Sequence, residues 1–293
     1  MAPMTKSARM RKLLHDEQLL VTAGVHDALS AKLVEAAGFS FAFLSGFGFE
    51  ASLLGKPDVG LLTLMEIVDH ARRIDQAVDI PLLADAEAGY GGPSNIQRTV
   101  HEFEHAGIAG IFIEDQPHPN FCGSLRKFKK VIPAQEMVMK VRCAVAARRD
   151  PDFIIAARTD ADIVSIEEQI RRCHLYLEAG ADMVTALPAN RAEFSQLARE
   201  VKAPLWLYLH AQADVTPDDL REMGIRGVVI YPVEPLFVAT HAMIGLLKEL
   251  KEKGTVRETF ARDSVLNYKE FFSLIELRKF VELEGRFPYL KDQ

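Results

Sequence analysis

Short apolar runs recur along the chain, and each is followed by glycine or charge and then by apolar residues at helical spacing. Runs at 19–24, 39–44, 82–84, 110–114, 153–157, 182–186, 204–209 and 227–230 read as eight strands buried on both faces. The segments 28–37, 61–78, 95–105, 133–149, 166–179, 191–201, 218–223 and 236–253 carry helical periodicity between and after them. Gly38, Gly107, Gly180 and Gly224 stop four of these helices, and Asp27 is placed to cap the first. Eight strand–helix units predict a (β/α)8 barrel rather than an open doubly wound sheet. A polar helix at 6–18 precedes them, and apolar helical material at 264–284 follows. Residues 1–293 are therefore expected to form a single barrel domain, with 254–293 as a C-terminal helical extension. No linker or low-complexity tract interrupts the pattern.

Catalytic residues of such barrels sit at the C-terminal ends of the strands. The polar residues there are Ser45, Asp85, Glu87, Glu114, Arg158 and His210. Asp85 and Glu87 are spaced i and i+2, so both face one site if the strand continues. With Glu114 they offer the oxygen ligands that Mg²⁺ or Mn²⁺ prefers. Arg158 can clamp a substrate carboxylate or phosphonate, or pair with Asp160 or Glu114. Ser45-Gly46-Phe47 can present backbone N–H groups to an anion at a helix start. The same stretch, Gly46 to Ala51, also matches G-x-G-x-x-A, with Glu66 twenty residues on. It falls in the second strand–helix unit, and Gly55-Lys56-Pro57 interrupts the helix, so a dinucleotide site is not expected. The polar stretch 115–130 lacks periodicity and is long for such a connection, as a lid would be. Within it Cys122 is the candidate nucleophile or proton donor, with Arg126, Lys127, Lys129 and Lys130 nearby to favour the thiolate.

Composition narrows the class. The 293 residues are 48% hydrophobic and 26% charged, ordinary for a globular chain. A formal net charge of −6 argues against nucleic acid or an anionic membrane as partner. No apolar run is long enough to span a bilayer. Three scattered cysteines make neither a disulfide framework nor a zinc site, and the N-terminus lacks a secretory pattern. A cytoplasmic location is expected.

The motifs Asp27-Ala28-Leu29-Ser30-Ala31, Gly55-Lys56-Pro57-Asp58, Ala84-Asp85-Ala86-Glu87-Ala88-Gly89-Tyr90-Gly91, Ile113-Glu114-Asp115-Gln116, Ala156-Ala157-Arg158-Thr159-Asp160-Ala161 and Ile230-Tyr231-Pro232 span nearly the whole chain. Together they resemble the isocitrate lyase / phosphoenolpyruvate mutase superfamily, in its methylisocitrate lyase and carboxyphosphonoenolpyruvate phosphonomutase-like branch. The resemblance implies an eighth helix exchanged between subunits, usually in a homotetramer. It implies Mg²⁺-dependent chemistry on C–C or P–C bonds beside a 2-oxo or 2-hydroxy acid. By position it implies Asp85 as a direct metal ligand, and Glu87 and Glu114 as direct or water-mediated ones, with Asp58 nearby. It further implies that Ser45, Gly46 and Phe47 bind carboxylate and oxo oxygens, that Arg158 clamps the substrate, and that a pyruvate-type enolate is stabilised.

Departures from that pattern bear on the substrate. The usual D-x-D ends in Glu87. The lyases' K-[KR]-C-G-H reads Asn120-Phe121-Cys122-Gly123-Ser124, so only Cys-Gly is retained. Leu187 and Tyr208 stand where the lyases tend to carry glutamate and asparagine. Isocitrate itself is therefore not the expected substrate, and Tyr208, Trp206 and Phe121 point to a less charged or bulkier distal part. The leading expectation is a lyase cleaving a substituted 2-hydroxy di- or tricarboxylic acid, with Cys122 as proton donor. A decarboxylase, hydrolase or phosphonomutase using the same enolate, and a non-catalytic oxo-acid-binding barrel, are the alternatives.

Overall fold

A computed structural model describes residues 4–16, 19–262 and 265–287. Eight parallel strands close in sequence order, β1 pairing with β8. They are β1 (Leu19–Val25), β2 (Ala42–Leu44), β3 (Leu82–Asp85), β4 (Gly110–Glu114), β5 (Ile154–Arg158), β6 (Met183–Thr185), β7 (Leu205–Tyr208) and β8 (Gly227–Tyr231). Helices α1 (Lys6–Asp16), α2 (Ala28–Ala36), α3 (Gly46–Leu54), α4 (Leu64–Ala77), α5 (Pro93–His105), α6 (Ala134–Ala147), α7 (Ile166–Glu178), α8 (Arg191–Glu200) and α9 (Pro217–Glu222) precede or separate them. The expected barrel is present. The second expected helical segment is α4, and an additional helix precedes it: α3 starts directly at the end of β2, and Gly55 closes it in the left-handed conformation.

Side-chain alternation along the strands explains the two-layered core. Phe43, Leu83, Phe112, Ala156, Met183 and Trp206 form one buried cluster with Val228 and Ile230. Their strand neighbours, such as Leu44, Ala84, Ile111, Ile155 and Leu207, pack in a second cluster with the helices. Trp206 fills the middle of the first, meeting Phe43 at 5.5 Å and Phe112 at 5.3 Å in edge-to-face contacts. Continuing the inner alternation one step places Asp85, Glu114, Arg158, Thr185 and Tyr208 at the C-terminal rim. The register fixes their order, with Glu114 opposite Arg158 and Arg158 opposite Thr185.

Asp27 caps α2 through a reciprocal capping box with Ser30, as its position predicts. Cys173 is buried and Cys143 half-buried on their helices. Backbone contacts divide the chain into two compact units, Met1–Leu236 and Phe237–Gln293. The second comprises most of α10 (Glu234–Lys253), with α11 (Arg257–Arg262), α12 (Tyr268–Leu274) and α13 (Leu277–Arg286). Within it Glu249 accepts the N–H groups of Glu258 and Thr259, which ties α10 to α11. Among the described residues no helix is long and apolar enough to cross a membrane.

Candidate active site

β3 ends at Asp85, two residues before Glu87, so strand alternation does not aim Glu87. Glu87 instead turns with φ +52°, an unusual backbone for a non-glycine residue. Three bonds hold that turn. The Glu87 N–H donates to Asp85 Oδ1 at 2.8 Å, its carbonyl accepts from Glu114 N at 2.9 Å, and Lys140 Nζ donates to the Ala88 carbonyl at 3.0 Å. The two acids converge nonetheless. A methyl group built on Gly46 would lie 2.7 Å from Asp85 Oδ2 and 2.9 Å from Glu87 Oε1, so both oxygens face one spot at the start of α3. The Gly46 N–H and the positive end of α3 favour the charged form of the Asp85 carboxylate. Ser45 caps α3 by accepting from Gly48 N at 3.2 Å, and Phe47 follows Gly46 in the first turn.

Glu114 lies within 3.4 Å of Arg158 Nη1, and Arg158 Nη2 meets Asp160 at 2.8 Å. The two ion pairs that the sequence offered as a purely structural use of Arg158 are thus both formed. Its Nε nonetheless has no hydrogen-bond partner among the described residues. The guanidinium sits 5.5 Å from the Phe112 ring centre and 5.7 Å from that of Tyr208. The hydroxyls of Tyr208 and Thr185 are buried and without a partner there too. His210 stands apart, exposed and 3.2 Å from Glu234.

Burial and mutual repulsion shape the titration of these acids. Burial first, then the Asp85 and Glu50 charges, push Asp58 up to about 7. Burial pushes Asp85 up to about 6 against the pull of Arg158. Glu87 is driven well above the usual carboxylate range by burial and by Asp85, Asp58 and Glu114. Burial also raises Glu114 well above that range, against the pull of Arg158. Burial would raise Asp160 as well, but Arg158 and Lys129 outweigh it and hold it low. Three acids crowded in low dielectric, with Glu87 Oε1 buried and without a hydrogen-bond partner among the described residues, are short of positive charge. A divalent cation at the spot that Gly46 leaves open fits that shortage. Among the described residues no ready-made group of three metal-ligating side chains is drawn together. Two converging carboxylate oxygens, completed by water and substrate, are what Mg²⁺ commonly takes.

The loop expected to act as a lid runs over this site. Cys122 N donates to the Asp58 carbonyl at 3.3 Å. Two of the four cations expected beside Cys122 are engaged with carboxylates. Lys129 is buried on Asp160 at 2.6 Å and Asp162 at 2.7 Å, and Arg126 meets Asp162 at 3.2 Å. Desolvated carboxylates attract them more strongly than a thiol does. Asn120 donates from Nδ2 to Glu87 Oε2 and, at 2.7 Å, to Glu114 Oε1. Glu50, fully buried on α3, accepts from Leu61 N at 3.2 Å and so fixes the loop that carries Asp58. Glu50 and Thr185 escaped the sequence reading, and Asn120 entered it only as a departure in the loop motif. Of the two that escaped, only Thr185 had a visible signal, its place at the end of the sixth strand.

A family model described as phosphoenolpyruvate phosphomutase matches residues 10–251. The chain is 39% identical, over 97% of its own length and 85% of the other's, to the chloroplastic carboxyvinyl-carboxyphosphonate phosphorylmutase of Arabidopsis thaliana. It is 37% identical to the 2,3-dimethylmalate lyase of Eubacterium barkeri, covering 97% of this chain and 99% of that one. The solved structure of phosphonopyruvate hydrolase in complex with oxalate and Mg²⁺ superposes with a TM-score of 0.88 at 30% identity, covering 97% and 99% of the two chains. With its barrel, its rim of acids and its match over most of its length, the chain belongs to the phosphoenolpyruvate phosphomutase family of the isocitrate lyase / phosphoenolpyruvate mutase superfamily.

Proposed function

We propose that this protein is a Mg²⁺-dependent lyase that cleaves a C–C bond of a substituted 2-hydroxy di- or tricarboxylic acid and releases a 2-oxo acid. The observation that carries this reading is the convergence of Asp85 Oδ2 and Glu87 Oε1 on the space left by Gly46, beside Arg158. Asp85 and Glu87 would hold the cation, with Glu114 reaching it directly or through water. Bound there, the cation would polarise the substrate's carboxylate and hydroxyl oxygens and ease loss of the hydroxyl proton. The N–H groups at the start of α3, Gly46 and Phe47, with Ser45, would face the same oxygens. Arg158 would orient a carboxylate, and its aromatic flanks Phe112 and Tyr208 limit the freedom of the guanidinium. Asp58, at the edge of the acid cluster, would take the 2-hydroxyl proton. The scissile C–C electron pair would pass to the departing carbon, which Cys122 Sγ–H would protonate. Tyr208 replaces a family asparagine, which favours a distal group with an oxygen for its hydroxyl and an apolar body for its ring.

The experiment is a product assay with Mg²⁺ on 2,3-dimethylmalate, 2-methylisocitrate, oxaloacetate and phosphonopyruvate, with oxalate binding measured in parallel. A 2-oxo acid released from a hydroxy diacid is the expected result. Turnover of oxaloacetate or phosphonopyruvate alone would replace the lyase with a hydrolase or mutase. Oxalate binding without any turnover would leave a non-catalytic oxo-acid-binding barrel. Full activity in Cys122→Ser would remove Cys122 from the mechanism.

A homotetramer with α10 exchanged between subunits belongs to the same reading. The single chain leaves Phe237, Val238, Met243, Ile244 and Leu247 of α10 exposed, which supports cover by a second copy. The free cysteines support a cytoplasmic setting.

A further inference from the structure

The loop between β4 and α6 is held at two separate places. Its far half is anchored by Lys129, buried between Asp160 and Asp162, and by Arg126 on Asp162. Its near half closes on itself, because the Gln116 carboxamide accepts from Phe121 N at 3.1 Å and donates to the Phe121 carbonyl at 3.0 Å. That near half then touches the acid cluster through Asn120. One Nδ2 carries two hydrogens, and here each goes to a different carboxylate, Glu87 and Glu114. The bond to Glu87 takes Oε2 and leaves Oε1 facing the Gly46 space. On its other side Asn120 Oδ1 is buried, has no hydrogen-bond partner among the described residues, and faces Gly60. Gly60 has φ +73°, and a methyl group there would lie 2.9 Å from Oδ1 and 3.2 Å from the Asn120 nitrogen. Gly60 is the floor of the seat that Asn120 occupies.

We propose that Asn120 is a positioning residue that couples closure of the 115–133 loop to the carboxylates of the cation site. This rests on the reading of Glu87 and Glu114 as cation ligands. The chemistry suits the task. A neutral amide satisfies one oxygen of each acid without cancelling its charge, so the attraction of Glu87 Oε1 for a cation is kept. A lysine in that place would be a competing cation. By fixing the Glu87 carboxylate, Asn120 aims Oε1. By being held there, it seats the chain that carries Cys122 two residues later. Loop closure and ligand geometry therefore share one hydrogen-bonded hub.

Two measurements on the full chain test this: hydrogen exchange of residues 117–123 in metal-free protein, and Mg²⁺ affinity by calorimetry. Asn120→Ala is expected to speed exchange at 117–123 at least about tenfold while 125–132, held by Lys129, stays as in wild type. It is expected to weaken Mg²⁺ binding by about tenfold or more, the usual scale for a residue that orients a ligand. Asn120→Asp keeps the size but, ionised, cannot donate, and is expected to loosen the same segment in metal-free protein. Gly60→Ala intrudes on the seat without altering any acid, and is expected to do likewise, so either serves if Asn120→Ala does not fold. Unchanged exchange, or unchanged Mg²⁺ affinity, in a protein that binds Mg²⁺ overturns the coupling alone. Failure of wild-type protein to bind Mg²⁺ overturns the cation site itself, and the coupling with it.

Discussion

Position 46 tests the cation reading with one methyl group. Gly46→Ala places that methyl 2.7 Å from Asp85 Oδ2 and 2.9 Å from Glu87 Oε1, within a helix where alanine is otherwise favourable. Mg²⁺ affinity is expected to fall at least about tenfold, so the thermal stabilisation given by a fixed Mg²⁺ concentration shrinks by roughly 1.4 kcal/mol per tenfold. A thermal-shift titration reads this, and an unchanged shift would move the cation elsewhere. Asp58 and Asp85 give a second residue-scale prediction, in pH. Their folded values are raised, to about 7 and about 6, so folding favours the protonated forms. The stability they contribute is full below the unfolded value of 3.8 and is lost as pH rises through 6 and 7. In chelator, the melting temperature of wild type relative to Asp58→Asn is expected to be higher at pH 5.5 than at pH 7.5. Because a bound cation must displace the same protons, Mg²⁺ affinity is expected to climb over that interval. A pH-independent difference between the two proteins would show that Asp58 is already ionised in the fold.

At the scale of elements, barrel closure depends on side chains that are absent. A methyl group on Gly24 of β1 would lie 2.0 Å from the Pro232 carbonyl oxygen, just past β8. Backbone cannot yield as a flexible side chain can. Gly24→Ala is therefore expected to destabilise the barrel by about 1–3 kcal/mol or more, read as a lower urea midpoint at unchanged slope. The strands themselves were legible because parallel strands buried on both faces leave continuous apolar runs, and the glycine stops between them were equally plain. Asp85, Glu114 and Arg158 were legible for the same reason, since each ends such a run and the barrel gathers strand ends together. Glu87 was legible as a residue but not as a geometry. Its i+2 spacing suggested strand alternation, whereas a left-handed turn aims it. α3 was legible only as a helix start, because its glycines lower helix propensity while allowing a close approach to the acids. Asn120 and Lys129 could not be placed at all. A loop without periodicity takes its shape from what it lands on, and the Lys129 partners lie more than thirty positions further along the chain.

Whole-molecule behaviour turns on the segment 237–293. Its α10 exposes Val238 at 70% and Ile244 at 61%, and its α13 exposes Phe280 at 62% and Val281 at 60%. On α13 these apolar residues recur at helical spacing, with Leu277 and Leu283, while Arg278, Lys279, Glu282, Glu284, Gly285 and Arg286 fill the remaining positions. Two separate helices of one segment thus carry apolar faces of the kind that soluble monomers seldom leave open. A net charge of −6 opposes association only weakly at physiological salt, where the screening length is about 8 Å. Burying such faces against a second copy belongs to the large, apolar class of obligate interfaces. Light scattering of wild type is expected to give four times the chain mass without dissociation on micromolar dilution. Val238→Asp and Phe280→Asp each introduce a charge that burial would leave unpaired, so each is expected to yield smaller species and a concentration-dependent melting temperature. A monomeric wild type, or aspartate variants that stay tetrameric, would show that these faces are covered in some other way. Because Asp85, Glu87, Glu114 and Arg158 all lie within Met1–Leu236, Mg²⁺ binding by the dissociated variants tests whether that unit holds its acid cluster unaided.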